Sequence, residues 1–151
     1  MTRLYQDFNF VVDQVANRVM TRLMGYVRDG APDTAPCVVF AQLEGELDWH
    51  RFFLQAQIAF WEIHTSERIA EEFRECLEEG DRLVDFGPLI GGLPQVLRVA
   101  EAVGTDDGPV HLRLLFRDGS AFLMIPDTPD LHTTFHIVIL PAERELPHGS
   151  E

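Results

Sequence analysis

Apolar residues recur at three- and four-residue steps from Leu4 to Val27. Phe8, Val12, Val15, Val19 and Leu23 form one stripe, with Val11, Ala16, Met20 and Met24 beside it. That period predicts an amphipathic helix. Asp13, Asn17, Arg18, Thr21 and Arg22 fall mostly off the stripe, and Gly30 and Pro32 supply a stop. The apolar face is broad, so the helix is expected to lie across a sheet or to form part of an interface.

Cys37 to Leu43 is short and β-rich, flanked by Pro36 and Gly45, and reads as a strand. Glu44, Glu46 and Asp48 then alternate along an acidic connector. His50 to His64 fits two periods. Phe52, Leu54, Ala56, Ile58 and Phe60 alternate as in a strand, while Arg51, Gln55 and Glu62 share one side of a helical wheel. The frequency of Gln and Ala tips the balance slightly towards helix, with strand as the alternative.

Thr65 or Ser66 can cap a second helix that runs to Glu79 and stops at Gly80. Ile69, Ala70, Phe73, Cys76 and Leu77 fall on one face, and Glu67, Glu71, Glu75 and Glu78 on the other. Arg68 and Arg74 sit where pairs three and four residues apart relieve part of the carboxylate repulsion. Val84 to Pro94 reads as a loop around a short extended piece, and Gln95 to Val103 as a strand before the turn 104–108. Val110–Arg117 and Ser120–Ile125 flank Asp118-Gly119, a favoured two-residue hairpin turn. The matching register sets Phe116 against Ala121, Leu114 against Leu123 and Leu112 against Ile125. A loop over 126–130 precedes a further strand from Thr133 to Leu140.

These elements predict an α+β fold, with a helix-rich N-terminal half packed on an antiparallel β-meander of about four to five strands. Residues 1–140 read as a single domain and 141–151 as a polar, frayed tail.

Composition sharpens the functional expectation. The 151 residues include 25 acidic and 12 basic side chains, for a net charge of −13, and every basic residue is Arg. With 46% hydrophobic residues and 11 Phe the chain has material for a sizeable core. The charge exceeds the ~2–8 that suits a small soluble domain. Either a genome that favours Arg and acidic surfaces explains this, or the protein captures a basic partner electrostatically. The absence of Lys excludes a Walker A phosphate loop, a pyridoxal Schiff base and a Ser-Lys nucleophile pair. Cys37 and Cys76 read as reduced core thiols. No signal-peptide pattern and no apolar run of ~20 residues is visible, so a soluble, cytoplasmic chain is expected.

Candidate chemistry is sparse, and no catalytic, cofactor or metal residues are assigned. His132 and His136 have the spacing of a helical metal pair, but LHTTFHIVIL reads as a strand, where four residues span ~13 Å. His50, His64 and His111 with Glu62 are candidates for an acid–base cluster, each also explained as a hydrogen-bonded structural residue. Glu44, Glu46 and Asp48 can share a face towards a hard cation or form a solvated connector. The carboxylates Glu67, Glu71, Glu75 and Glu78 lie ~5–6 Å apart on adjacent turns, roughly like phosphates on a nucleic-acid strand. A plain solvated helix face is the alternative.

The expected function is that of a small acidic, non-catalytic binding protein. It would engage and neutralise or escort a basic protein partner, such as a toxin, a nuclease or a nucleic-acid-binding protein. Immunity proteins, antitoxins, secretion chaperones and nucleic-acid mimics share this physics. The partner-binding residues would be Glu67, Glu71, Glu75, Glu78, Glu44, Glu46 and Asp48. Trp61, together with Trp49 and Phe53, would anchor the partner if exposed. Direct nucleic-acid binding is disfavoured by phosphate repulsion. One alternative is a small-molecule site or small enzyme with His111, Arg113 and His136 lining a pocket between sheet and helices. Another is a subunit that homodimerises through its N-terminal helix.

Overall fold

The computed structural model describes residues 2–55, 58–104, 110–127 and 135–142. Among them the chain is mostly strand. In order come β1 (Thr2–Asp7), β2 (Phe10–Val11), β3 (Arg18–Val27), β4 (Val38–Leu43), β5 (Trp49–Gln55) and β6 (Ile58–His64). Then follow the helix α1 (Ser66–Glu78), β7 (Arg82–Asp85), β8 (Gln95–Val103), β9 (His111–Phe116), β10 (Ala121–Pro126) and β11 (Phe135–Leu140). All eleven strands belong to one antiparallel sheet, whose main path is β1-β6-β5-β4-β3-β8-β9-β10-β11. Short β2 pairs with β8, and β7 pairs with β3.

This overturns the expected helix-rich α+β fold with about four to five strands: among the described residues there is one α-helix. The N-terminal helix expected over Leu4–Val27 does not form, and with it goes the proposed helical dimer face. Its helical period has two local causes. A 3₁₀ turn at Asp13–Val15 sets Val12 and Val15 three apart, both buried. A bulge between Met20 and Arg22 then shifts the phase of β3. The buried positions therefore run Met20, Leu23, Gly25, Val27. A bulge inserts one residue into a two-residue alternation and so yields a three-residue step.

The segment His50–His64 takes the strand alternative. Here β5 and β6 pair from Trp49 opposite His64 to Gln55 opposite Ile58, and residues 56 and 57 lie outside the described residues. Both faces of this hairpin are covered, which blurs the alternation that would have identified it. His50, Phe52 and Leu54 face the main core together with Ala59 and Trp61. Their neighbours Trp49, Arg51 and Phe53 face the other way, because successive side chains of a strand alternate.

The main core lies inside a sheet that folds over on itself, since β5 meets β9 and β10 as well as its ladder partners. Leu23, Val39, Phe52, Trp61, Leu97, Leu114, Phe116 and Phe122 all belong to it. A smaller apolar cluster on the outer face joins Val38, Phe40 and Trp49 to Ile69 of α1, with Phe73 packed against it. Phe73 meets Phe40 edge-on at 5.0 Å and Trp49 at 5.8 Å. These contacts hold the helix on the back of β3–β6.

The β9–β10 hairpin forms where the sequence places it, but one residue out of the expected register. Phe122 faces Leu114 and Met124 faces Leu112. The loop has three residues, because the Phe116 amide donates to the Ser120 carbonyl at 2.9 Å. Gly119, with φ 92°, takes the left-handed position this loop needs. The Asp118 carboxylate accepts from both the amide and the hydroxyl of Ser120, at 2.8 and 2.6 Å. The shift buries Phe122 and Met124 and turns Leu123 and Ile125 to the half-exposed face. The 104–108 turn apart from Gly104, the end of the 126–130 loop, residues 133–134, His132 and the tail beyond residue 142 lie outside the described residues.

Candidate functional site

Helix α1 carries four of the expected contact residues, Glu67, Glu71, Glu75 and Glu78. The Thr65 hydroxyl caps it by accepting from the Arg68 amide at 3.2 Å. At the other end Gly80, at φ 93°, lets Asp81 donate to the Cys76 carbonyl and Gly80 to that of Leu77. Ile69 and Cys76 are buried and Phe73 is partly so, while Ala70 and Leu77 are exposed, so the seated stripe is narrower than the apolar pattern implies. Glu67, Glu71, Glu75 and Glu78 all face solvent. Arg68 lies 3.8 Å from Glu71 and Arg74 3.8 Å from Glu78. Exposed pairs of this kind offset little of the repulsion.

The acidic connector lies beside this helix. Glu44 and Asp48 are exposed between β4 and β5. The Ser66 hydroxyl donates to the Leu47 carbonyl, which ties the connector to the first turn of α1. Glu46 is committed inward: its carboxylate lies 3.3 Å from His50 Nε2 and 3.5 Å from Arg18. The fold thus brings together two acidic segments far apart in sequence.

Trp61 lacks the exposure that an anchor role requires. It is 1% exposed, stacks on Phe52 at 4.4 Å in the main core and donates its indole N–H to His50 Nδ1 at 2.9 Å. The strand alternation of β6 turns it inward. Trp49 is buried too, under Phe73.

Between α1 and the outer face of the sheet lies a cleft of about 360 Å³. Arg68, Glu72, Glu75 and Glu79 line it from the helix, and Tyr26, Arg51, Phe53, Glu62 and His64 from the sheet. The helix residues recur at four-, three- and four-residue steps, so they share one flank. On the sheet side Arg51 faces Glu62 across the β5–β6 ladder. Its guanidinium forks onto Glu72, with Nε 3.0 Å from Oε1 and Nη2 3.0 Å from Oε2, while Nη1 donates to Glu62 at 3.2 Å. Burial acts to lower the Arg51 pKa, but the hydrogen bonds and charge of Glu72, then the charge of Glu62, outweigh it and the net shift is upward. Burial, then Glu72, raises the Tyr26 phenol well above its usual range and pushes the Cys76 thiol up to about 11. His64, 4% exposed, places Nε2 3.0 Å from Glu62 Oε1, and its Nδ1 has no hydrogen-bond partner.

Of the expected acid–base group, then, Glu62 and His64 meet, while His50 faces the opposite side of β5 and His111 lies on β9. His111, Arg113 and His136 do not line this cleft. Arg113 pairs with Glu101 across the β8–β9 ladder, and His136 pairs with Asp127, each at 2.5 Å. No cluster of three or more His, Cys, Asp or Glu residues is placed to hold a metal ion among the described residues. Nor is any described helix long and apolar enough to cross a membrane. The Arg51–Glu72 pair was missed from sequence. Its one signal is Glu72 itself, three residues after Ile69 and four before Cys76, on the seated side of the helix.

No family model, curated protein or solved structure matches this chain.

Proposed function

We propose that the protein is a non-catalytic binding protein that engages a basic protein partner through the carboxylates of α1 and the adjoining connector. The observation that carries this reading is the C-terminal end of the helix. Glu75 and Glu78 occupy its last turn, Glu79 follows, and no basic residue stands in that turn. The negative end of a helix dipole disfavours carboxylates there and favours bases. The arrangement is adverse to the isolated protein and is relieved by an approaching cation. Glu67, Glu71, Glu44 and Asp48 extend the same exposed acidic surface. A toxin, a nuclease or a nucleic-acid-binding protein presents the complementary charge. Steering by such a surface raises association rates and falls steeply with ionic strength.

The test is retrieval of a partner from the native host at low salt, followed by affinity measurements on the purified pair across a salt series. Binding that weakens steeply with salt, and weakens again in a variant with Glu67, Glu71, Glu75 and Glu78 all changed to Gln, supports the reading. Affinity unchanged by both overturns it.

A further inference from the structure

We infer that the cleft beside α1 receives a cationic side chain of the partner, a guanidinium or ammonium group bearing several N–H donors. This rests on the binding function proposed above and gives it a specific seat. Three features of the cleft converge. The first is room: about 360 Å³ is open between the helix flank and the sheet, within the ~300–1,000 Å³ of ligand pockets.

The second is unspent negative charge at the rim. Glu72 is already held by Arg51, but among the described residues neither Glu75 nor Glu79 has an ion-pair partner, and both line the opening.

The third is the buried imidazole of His64. In the tautomer whose Nε2–H donates to Glu62, Nδ1 is an acceptor, and that atom is buried and unpartnered. A buried acceptor without a donor is unfavourable, and a group supplying the missing hydrogen bond recovers that loss. Carboxylates at the mouth and an orphan acceptor in the wall together select a positive group rich in N–H. Arg51, over the Phe53 ring at 5.0 Å, lies on this same surface and shows that it accommodates a guanidinium. Phe53 itself lines the cleft and offers an apolar wall to the stem of the incoming side chain.

The experiment is a titration of the isotope-labelled full chain at low salt with a nona-arginine peptide, followed by nuclear magnetic resonance. A nona-lysine peptide and a citrulline peptide of the same length serve as comparisons. The His64 Nδ1 resonance reports the cleft, and the amides of Glu67 and Glu71 report the outer surface. The inference expects Nδ1 to shift with arginine or lysine and not with neutral citrulline. It also expects the Glu75→Gln, Glu79→Gln double variant, altered only at exposed positions, to bind about tenfold more weakly.

If the Glu67 and Glu71 amides respond while His64 does not, the cleft inference fails and the surface reading stands. If His64 responds alone, the cleft stands and the outer stripe is not the contact. If neither responds, both fail. An Nδ1 that already carries a proton in the free chain also overturns the inference, because it would then be no acceptor.

Discussion

Arg51 and Glu62 sit directly opposite each other on β5 and β6, and the Arg51 guanidinium bonds across the ladder to Glu62 at 3.2 Å while forking upward onto Glu72 of α1. One side chain thereby fastens the hairpin to the helix above it. The three groups are largely withdrawn from water, with side-chain exposures of 18%, 2% and 16%. Buried charges in such a group stand or fall together.

Removing the guanidinium alone is therefore the damaging change. Arg51→Met keeps the stem but leaves two carboxylates facing each other under the helix. Breaking a buried pair in this way costs roughly 3–5 kcal/mol. Urea unfolding of wild type and variant measures the difference. A loss below about 1 kcal/mol would mean that water reaches these groups and that the pair behaves as a surface bridge.

His50 makes stability depend on pH. It accepts from Trp61 at Nδ1 and stands 3.3 Å from Glu46 at Nε2, within the end of the main core. Burial lowers its pKa below the ordinary 6.5, against a smaller opposing pull from Glu46. The unfolded chain therefore takes up a proton at higher pH than the folded one. The stability from a neutral His50 is complete above about 6.5 and is lost as pH falls through the depressed folded value. His111 is shifted the same way, by burial and then by Arg113, and adds to the same slope. His50→Gln keeps an acceptor for Trp61 but does not titrate. Its unfolding free energy should fall less than that of wild type between about pH 7.5 and 5.5. Parallel slopes would show that His50 titrates alike in both states.

Gly25 marks a close approach between β3 and Phe86. A Cβ there would lie 2.7 Å from the Phe86 ring and 2.9 Å from the Val38 carbonyl. Phe86 is fully buried and packs 5.5 Å from Phe122 between ring centroids, so it has little freedom to yield. Gly25→Ala should destabilise by about 1–3 kcal/mol, as overpacking does. Gly30→Ala is a useful comparison: its left-handed φ of 85° adds strain, but a Cβ there meets nothing within 4 Å. A loss at Gly25 no larger than the loss at Gly30 would show that Phe86 moves aside.

The sequence is most legible where one period acts undisturbed. The helix from Ser66 follows its cap, its stop and its buried Ile69 and Cys76, and the acidic face lies where the spacing places it. Strand β9 alternates cleanly because its outer face is half exposed. Legibility fails where structure adds or removes one residue of phase. The bulge near Thr21 and the 3₁₀ turn at Asp13 together imitate a helical stripe in a strand region. Over β5 and β6, cover on both faces hides the alternation and turns Trp61 from an apparent surface anchor into core. The cleft was legible only in part: Glu62 and His64 are two residues apart on one strand, but Arg51 and Glu72 are 21 residues apart and meet only once the helix is seated.

The β9–β10 register gives the sharpest mutational contrast. A two-residue turn at Asp118-Gly119 would bury Leu123 and expose Phe122; the three-residue loop does the reverse, with Phe122 fully buried and Leu123 only partly so. Phe122→Ala should therefore destabilise by about 3–5 kcal/mol, since it empties a fully packed core position. Leu123→Ala removes a partly solvated side chain and should cost well under half of that, roughly 1 kcal/mol. Paired urea unfolding curves decide the matter, because the two registers demand opposite orders of damage. A larger loss at Leu123 than at Phe122 would restore the two-residue turn and move every side chain of β10 to the other face of the sheet.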